Sequence, residues 1–132
     1  MINDFELFAH GAAFDVDAYL LRTELPVSRV WRRGSGHYKT SGIAMTLGDG
    51  HSVPVPEQER LAIEFFSAHR DALIALGREP GIDAFVLRLH LRMRLQEGLV
   101  GFSVGPSISL MRHALDVGVE PLYFVALEPM TP

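Results

Sequence analysis

The sequence predicts an α+β fold: a mainly antiparallel sheet of about five strands with about three helices over one face. Three observations carry that expectation. Apolar and polar residues alternate over 4–11 and 84–95. Apolar residues recur at three- and four-residue steps over 53–77. Short Gly- and Pro-rich pieces punctuate the chain between these segments.

The elements follow in order. "DFELFAHG" (4–11) sets Phe5, Leu7 and Ala9 against Glu6, Phe8 and His10, a strand pattern. "FDVDAYLLRTEL" (14–25) reads as a short helix with Asp15 as N-cap, Asp17 in the first turn and Pro26 as the stop. Val27 to Trp31 reads as extended, and Tyr38 to Leu47 as a strand after glycine turns. Residues 53–77 form the clearest helix. Pro56, Glu57 and Glu59 suit its start, Leu61, Phe65, Phe66, His69, Leu73 and Leu76 its apolar stripe, and Gly77 its end. "PSISLMRHALDVG" (106–118) reads as a helix capped by Ser107 or Ser109 and closed by Gly118. "EPLYFVAL" (120–127) is a final, buried strand. The resulting order is β-α-β-α-β-β-α-β.

The stretch "VLRLHLRMRL" (86–95) poses the functional question. Arg88, His90, Arg92 and Arg94 fall on one parity, and five apolar residues on the other. A turn at Glu97–Gly98 would return "LVGFSVG" (99–105) as a hairpin partner. Counting outward then sets Arg94 opposite Gly101, Arg92 opposite Ser103 and His90 opposite Gly105. That pairing predicts a shallow trough beside a row of cations. Arginine forks in it could hold an anionic ligand, or lie over the small residues and cover the sheet themselves.

The loop "RVWRRGSGHYKTSG" (29–42) is the second candidate, with Trp31, Arg33, His37 and Tyr38 as its binding residues. Its glycines would allow an anion nest of backbone N–H groups. The alternative is that Trp31 anchors a surface turn into the core. There is no phosphate-loop motif, no nucleophile elbow and no paired-histidine metal spacing. Asp15 and Asp17 are explained by helix capping.

Bulk properties narrow the function. The 132 residues suit one domain, and 48% hydrophobic with 21% charged residues is an ordinary globular composition. The absence of cysteine excludes disulfides and thiolate zinc sites and fits a cytoplasmic protein. "MINDFELFAH" lacks the basic start of a secretory signal, and no apolar run is long enough to span a membrane. A net charge of −4 disfavours a general nucleic-acid binder. No cofactor or metal is expected.

Several pieces resemble an uncharacterised bacterial domain-of-unknown-function family of small α+β proteins. They are the "G-x-x-F-D" segment at Gly11, Phe14 and Asp15, then "LPVSRVWRRG" with its "W-x-x-G" element. The serine-led start of "PSISLMRHALDVGVEPLYFVAL" matches near the other end. Some members look like neighbours of toxin genes, so the resemblance implies an immunity-like role. No catalytic residue comes with it. The sequence thus predicts a non-enzymatic macromolecule-binding module with an acidic protein partner on the basic sheet face. Two alternatives remain open. One is a small metal-independent enzyme or binder acting on a nucleotide or RNA through His37, Tyr38, His90 and Arg92. The other is a homodimer through the open face.

Overall fold

A computed structural model describes residues 3–47, 55–94 and 107–128, with side chains for 5–47, 57–89 and 107–122. The elements are β1 (Asn3–Gly11), α1 (Val16–Leu20), β2 (Arg29–Trp31), β3 (Ser41–Thr46), α2 (Val55–Ala68), α3 (Arg70–Gly77), β4 (Ala84–Arg94), α4 (Ile108–Asp116) and β5 (Glu120–Glu128). The strands form one sheet in the order β2-β3-β1-β4-β5. Strand β1 runs antiparallel to both β3 and β4, and β2 antiparallel to β3. Strands β4 and β5 are parallel, joined through α4. This is an open α+β sheet, mainly antiparallel as the alternation predicts, with one parallel pair, β4–β5, that was not expected. The helices described number four, because the 53–77 helix divides in two.

Register explains how one face became the core. Leu7 pairs with Met45 on one side and Leu87 on the other, so the odd positions of three strands share a face. Phe5, Leu7, Ala9, Ile43, Met45, Phe85, Leu87 and Leu89 are buried there. All four helices insert into the same cluster, with Val16 and Tyr19, Ala62 and Phe66, Leu73 and Leu76, and Leu110 and Ala114. No helix among the described residues is long and apolar enough to cross a membrane.

Helix ends follow local chemistry. Asp15 caps α1 by accepting from the Ala18 N–H at 3.1 Å. The helix then ends at Leu20 rather than running to Pro26. Thr23 Oγ1 accepts from the Leu25 N–H at 3.1 Å and donates to the Tyr19 hydroxyl, competing with helix propagation. The break between α2 and α3 falls at His69, with φ −116° and ψ 22°. It lets Phe66 before it and Leu73 and Leu76 after it all reach the core.

Helix α4 is capped at both ends. Ser107 Oγ accepts from the Leu110 N–H at 3.1 Å. At the other end Gly118, with φ +83°, donates to Leu115 O, and the Val119 N–H reaches Ala114 O at 2.8 Å. Replacing Ser107 with Ala should cost about 1 kcal/mol. A urea denaturation curve would show the midpoint shift with unchanged slope.

The expected pairing of His90 with Gly105 requires correction. Strand β1 occupies one edge of β4 from Ala84 to Leu91, and β5 the other from Val86 to Arg94. His90 therefore lies between Asp4 and Phe124, not opposite Gly105. Arg92 and Arg94 lie beside Ala126 and Glu128 on β5. The Glu97–Gly98 turn and the 99–105 strand fall on residues 95–106, outside the described residues. Local turn chemistry suggested a neighbour next in sequence, but at His90 two strands distant in sequence hold both edges.

Candidate functional site

The even positions of β1, β3 and β4 build the other face of the sheet, with no helix over it among the described residues. Two adjacent rows cross it. One runs Arg29, Ala44, Phe8, Val86, and the next runs Trp31, Gly42, His10, Ala84. Gly42 and Ala44 leave a channel along β3 between the large side chains of β2 and β1. The Trp31 indole fills part of it: a Cβ on Gly42 would fall 2.3 Å from Trp31 Cζ2 and 2.7 Å from His10 Cβ.

Phe8 is the anomaly of this face. It lies on the uncovered side of the sheet yet is only 4% exposed. Two guanidiniums cover it, Arg88 with Cζ 4.4 Å from the ring centroid and Arg29 at 5.3 Å. Arg29 also reaches Trp31 at 5.7 Å, and Trp31 packs against Phe8 with centroids 6.1 Å apart. Each cation–π contact is worth about 0.5–2 kcal/mol, depending on how dry it is. Tyr38, 52% exposed, stacks on Trp31 at 6.0 Å and 28° between planes. His10 lies tilted against Trp31 with centroids 6.3 Å apart, and the Trp31 Nε1–H donates to Thr40 Oγ1 at 3.4 Å. Phe8, His10, Arg29, Trp31, Tyr38, Thr40 and Arg88 line a cleft of about 290 Å³. That is at the low end of small-molecule sites.

Paired and unpaired arginines both occur among the described residues: Arg33, Arg78 and Arg112, like the arginines of the cleft, form no ion pair there. Arg22, Arg32, Arg60 and Arg70 each hold a carboxylate. Arg32 grips Asp17 through Nε and Nη2, at 3.1 and 2.7 Å, and that hydrogen bond holds the Asp17 carboxyl below its usual 3.8. Arg29 and Arg88 have neither an ion pair nor a hydrogen bond among the described residues. Glu6 is the cross-strand neighbour of Arg88, yet no ion pair joins them. A guanidinium over an aromatic ring can still offer N–H donors to a planar anion.

The structure brings together three residues expected from the sequence: Trp31, Tyr38 and Arg88. Trp31 does not anchor its loop into the helix-covered core; it lies on the opposite face over Gly42. Arg33 serves the loop itself, donating from its side chain to Ala12 O at 3.3 Å and from its N–H to Ser41 Oγ at 2.8 Å. His37 is exposed outside the cleft lining. The backbone N–H groups of Gly34, Ser35 and Tyr38 are spent on carbonyls of the same turn, so they form no anion nest. The side chains of His90, Arg92 and Arg94 lie outside the described residues. His10, Arg29, Phe8 and Thr40 complete the cleft; Arg29 belongs to the cation-rich 29–42 loop, whereas Phe8 and Thr40 were not singled out in the sequence. The usable signal was Phe8, an aromatic on the polar parity of its strand.

His10 Nδ1 is buried without a hydrogen-bond partner among the described residues. No group of three or more His, Cys, Asp or Glu residues among those described is placed to hold a metal. Comparisons with protein-family models, curated proteins and solved structures give no match to this chain.

Proposed function

We propose that this chain is a non-enzymatic binding module that engages its partner on the open sheet face, through an anionic group seated between Arg29 and Arg88. The carrying observation is the pair of guanidiniums stacked on Phe8 without a carboxylate partner. Covering Phe8 accounts for their placement. It leaves their N–H edges without an acceptor among the described residues, and no ion pair to Glu6, the cross-strand neighbour of Arg88, supplies one. An anion delivered by the partner would do so.

The family resemblance implies an immunity-like role, and the basic character of the face makes an acidic protein surface the partner that fits it. Arg92 and Arg94, further along β4 at the same parity, would extend such a surface.

Double charge reversal, Arg29→Glu with Arg88→Glu, tests the reading. A partner retained by the wild-type chain in a pull-down should be lost to the variant, while far-ultraviolet circular dichroism stays unchanged. Equal retention by a folded variant would contradict the assignment of this face.

A further inference from the structure

We infer that the cleft is a nucleoside-phosphate site, in which the phosphate seats on Arg29 and Arg88 and the base stacks on Trp31. The inference rests on the anion-binding reading above and names the ligand for it. Three features select this chemistry over a lone carboxylate.

The first is charge. Two unpaired guanidiniums flank one ring, at 4.4 and 5.3 Å from its centroid. A single carboxylate neutralises one of them. A terminal phosphate carries a charge near −2 and three acceptor oxygens, enough for both forks.

The second is spacing. The cationic row at Arg29 and Phe8 and the aromatic row at Trp31 and His10 are two residues apart along adjacent strands. Two residues of strand span about 7 Å. A nucleoside monophosphate bridges a comparable separation between its phosphate and its base. An acidic side chain alone would leave the aromatic row unused.

The third is what surrounds the aromatic row. The Trp31–Tyr38 pair offers a partly exposed ring platform, and base–aromatic stacking contributes about 1–3 kcal/mol. Thr40 stands beside the indole with a hydroxyl that can meet a base edge. The cleft holds about 290 Å³, room for one nucleotide rather than a stretch of polymer. The net charge of −4 points the same way, because a polynucleotide requires cations along its whole path. A single nucleotide, free or at a chain terminus, needs only the local pair.

Trp31 is the only tryptophan in the chain, so its fluorescence reports this cleft without a label. The intact protein would be titrated with 5′-AMP, 5′-UMP, adenosine and inorganic phosphate. Saturable quenching by the monophosphates is expected, with adenosine and phosphate each binding at least tenfold more weakly. In Arg29→Met with Arg88→Met the stems still cover Phe8 but the charge is gone, and nucleotide affinity should fall at least tenfold in a folded protein. Arg88→Lys retains charge without the fork and should fall between. Inorganic phosphate binding as tightly as 5′-AMP would reduce the cleft to a plain anion site and overturn the inference. So would the absence of any saturable response. A glutamate-rich peptide run in parallel separates the two levels. If it binds in place of nucleotides and the double Met variant abolishes that binding, the anion-binding reading stands and the nucleotide fails. If every affinity is indifferent to Arg29 and Arg88, both fail.

Discussion

Gly11→Ala is expected to cost about 3 kcal/mol or more, at or beyond the upper end of ordinary overpacking. Gly11 ends β1 where the chain crosses the segment leading into β4. A Cβ there would fall 1.7 Å from Gly81 O and 2.9 Å from the Asp83 N. Both are backbone atoms held in place: the Asp83 N–H donates to His10 O at 2.9 Å, and the Ala12 N–H donates to Asp83 Oδ2 at 3.1 Å. Gly81 cannot retreat, because it sits at φ +90° against Ala13 O. The clash therefore has no flexible side chain to absorb it. Gly34 supplies the contrast, with φ +87° but nothing within 4 Å of a Cβ. Gly34→Ala should cost only the left-handed penalty, roughly 1–2 kcal/mol. Urea unfolding midpoints for the two variants would be compared. Equal midpoints, or Gly11→Ala matching wild type, would contradict the crossing described for residues 10–14 and 79–83.

Gly42→Val should remove the cleft and leave the fold standing. The new Cβ would meet Trp31 Cζ2 at 2.3 Å, Trp31 Cε2 at 2.6 Å and His10 Cβ at 2.7 Å. Here the obstacle is mainly an indole on edge strand β2, which can swing outward. The stability loss should stay within about 1–3 kcal/mol. The indole would lose its contacts with Phe8 and Tyr38, its emission should shift to longer wavelength, and anion affinity should fall more than tenfold. The helix-covered core, on the opposite face, would keep its circular dichroism. Unchanged emission together with unchanged affinity would show that Trp31 does not depend on the space above Gly42.

Much of the fold was legible because its signals are local. The alternation of Phe5, Leu7 and Ala9 marks the core parity of β1, and "PSIS" with Gly118 marks both ends of α4. Pairing was the part that local signals could not reach. Glu97–Gly98 looked like a turn, yet the neighbours of β4 at His90 come from residues 4 and 124. The site shows the same division. A trough of small residues beside arginines was anticipated at Gly101 and Ser103, whereas the channel described in the structure runs along β3 at Gly42 and Ala44. Arg88, Trp31 and Tyr38 were recognisable as types. Their meeting with Phe8, His10 and Arg29 depends on the β2-β3-β1-β4 order, which no short motif encodes. Phe8 carried the one available hint. An aromatic on the polar parity of a strand has to be covered by something, and here two arginines cover it.

Backbone amide chemical shifts of the ¹⁵N-labelled protein, followed while 5′-AMP is added, test the central claim most directly. Binding on the open face should move amides at 8–10, 29–31, 38–44 and 86–88 together, with one shared affinity, and leave those of α2, α3 and α4 in place. Shifts concentrated on the helices, or none on β1 and β2 at saturation, would contradict a site built from Arg29, Arg88 and Trp31.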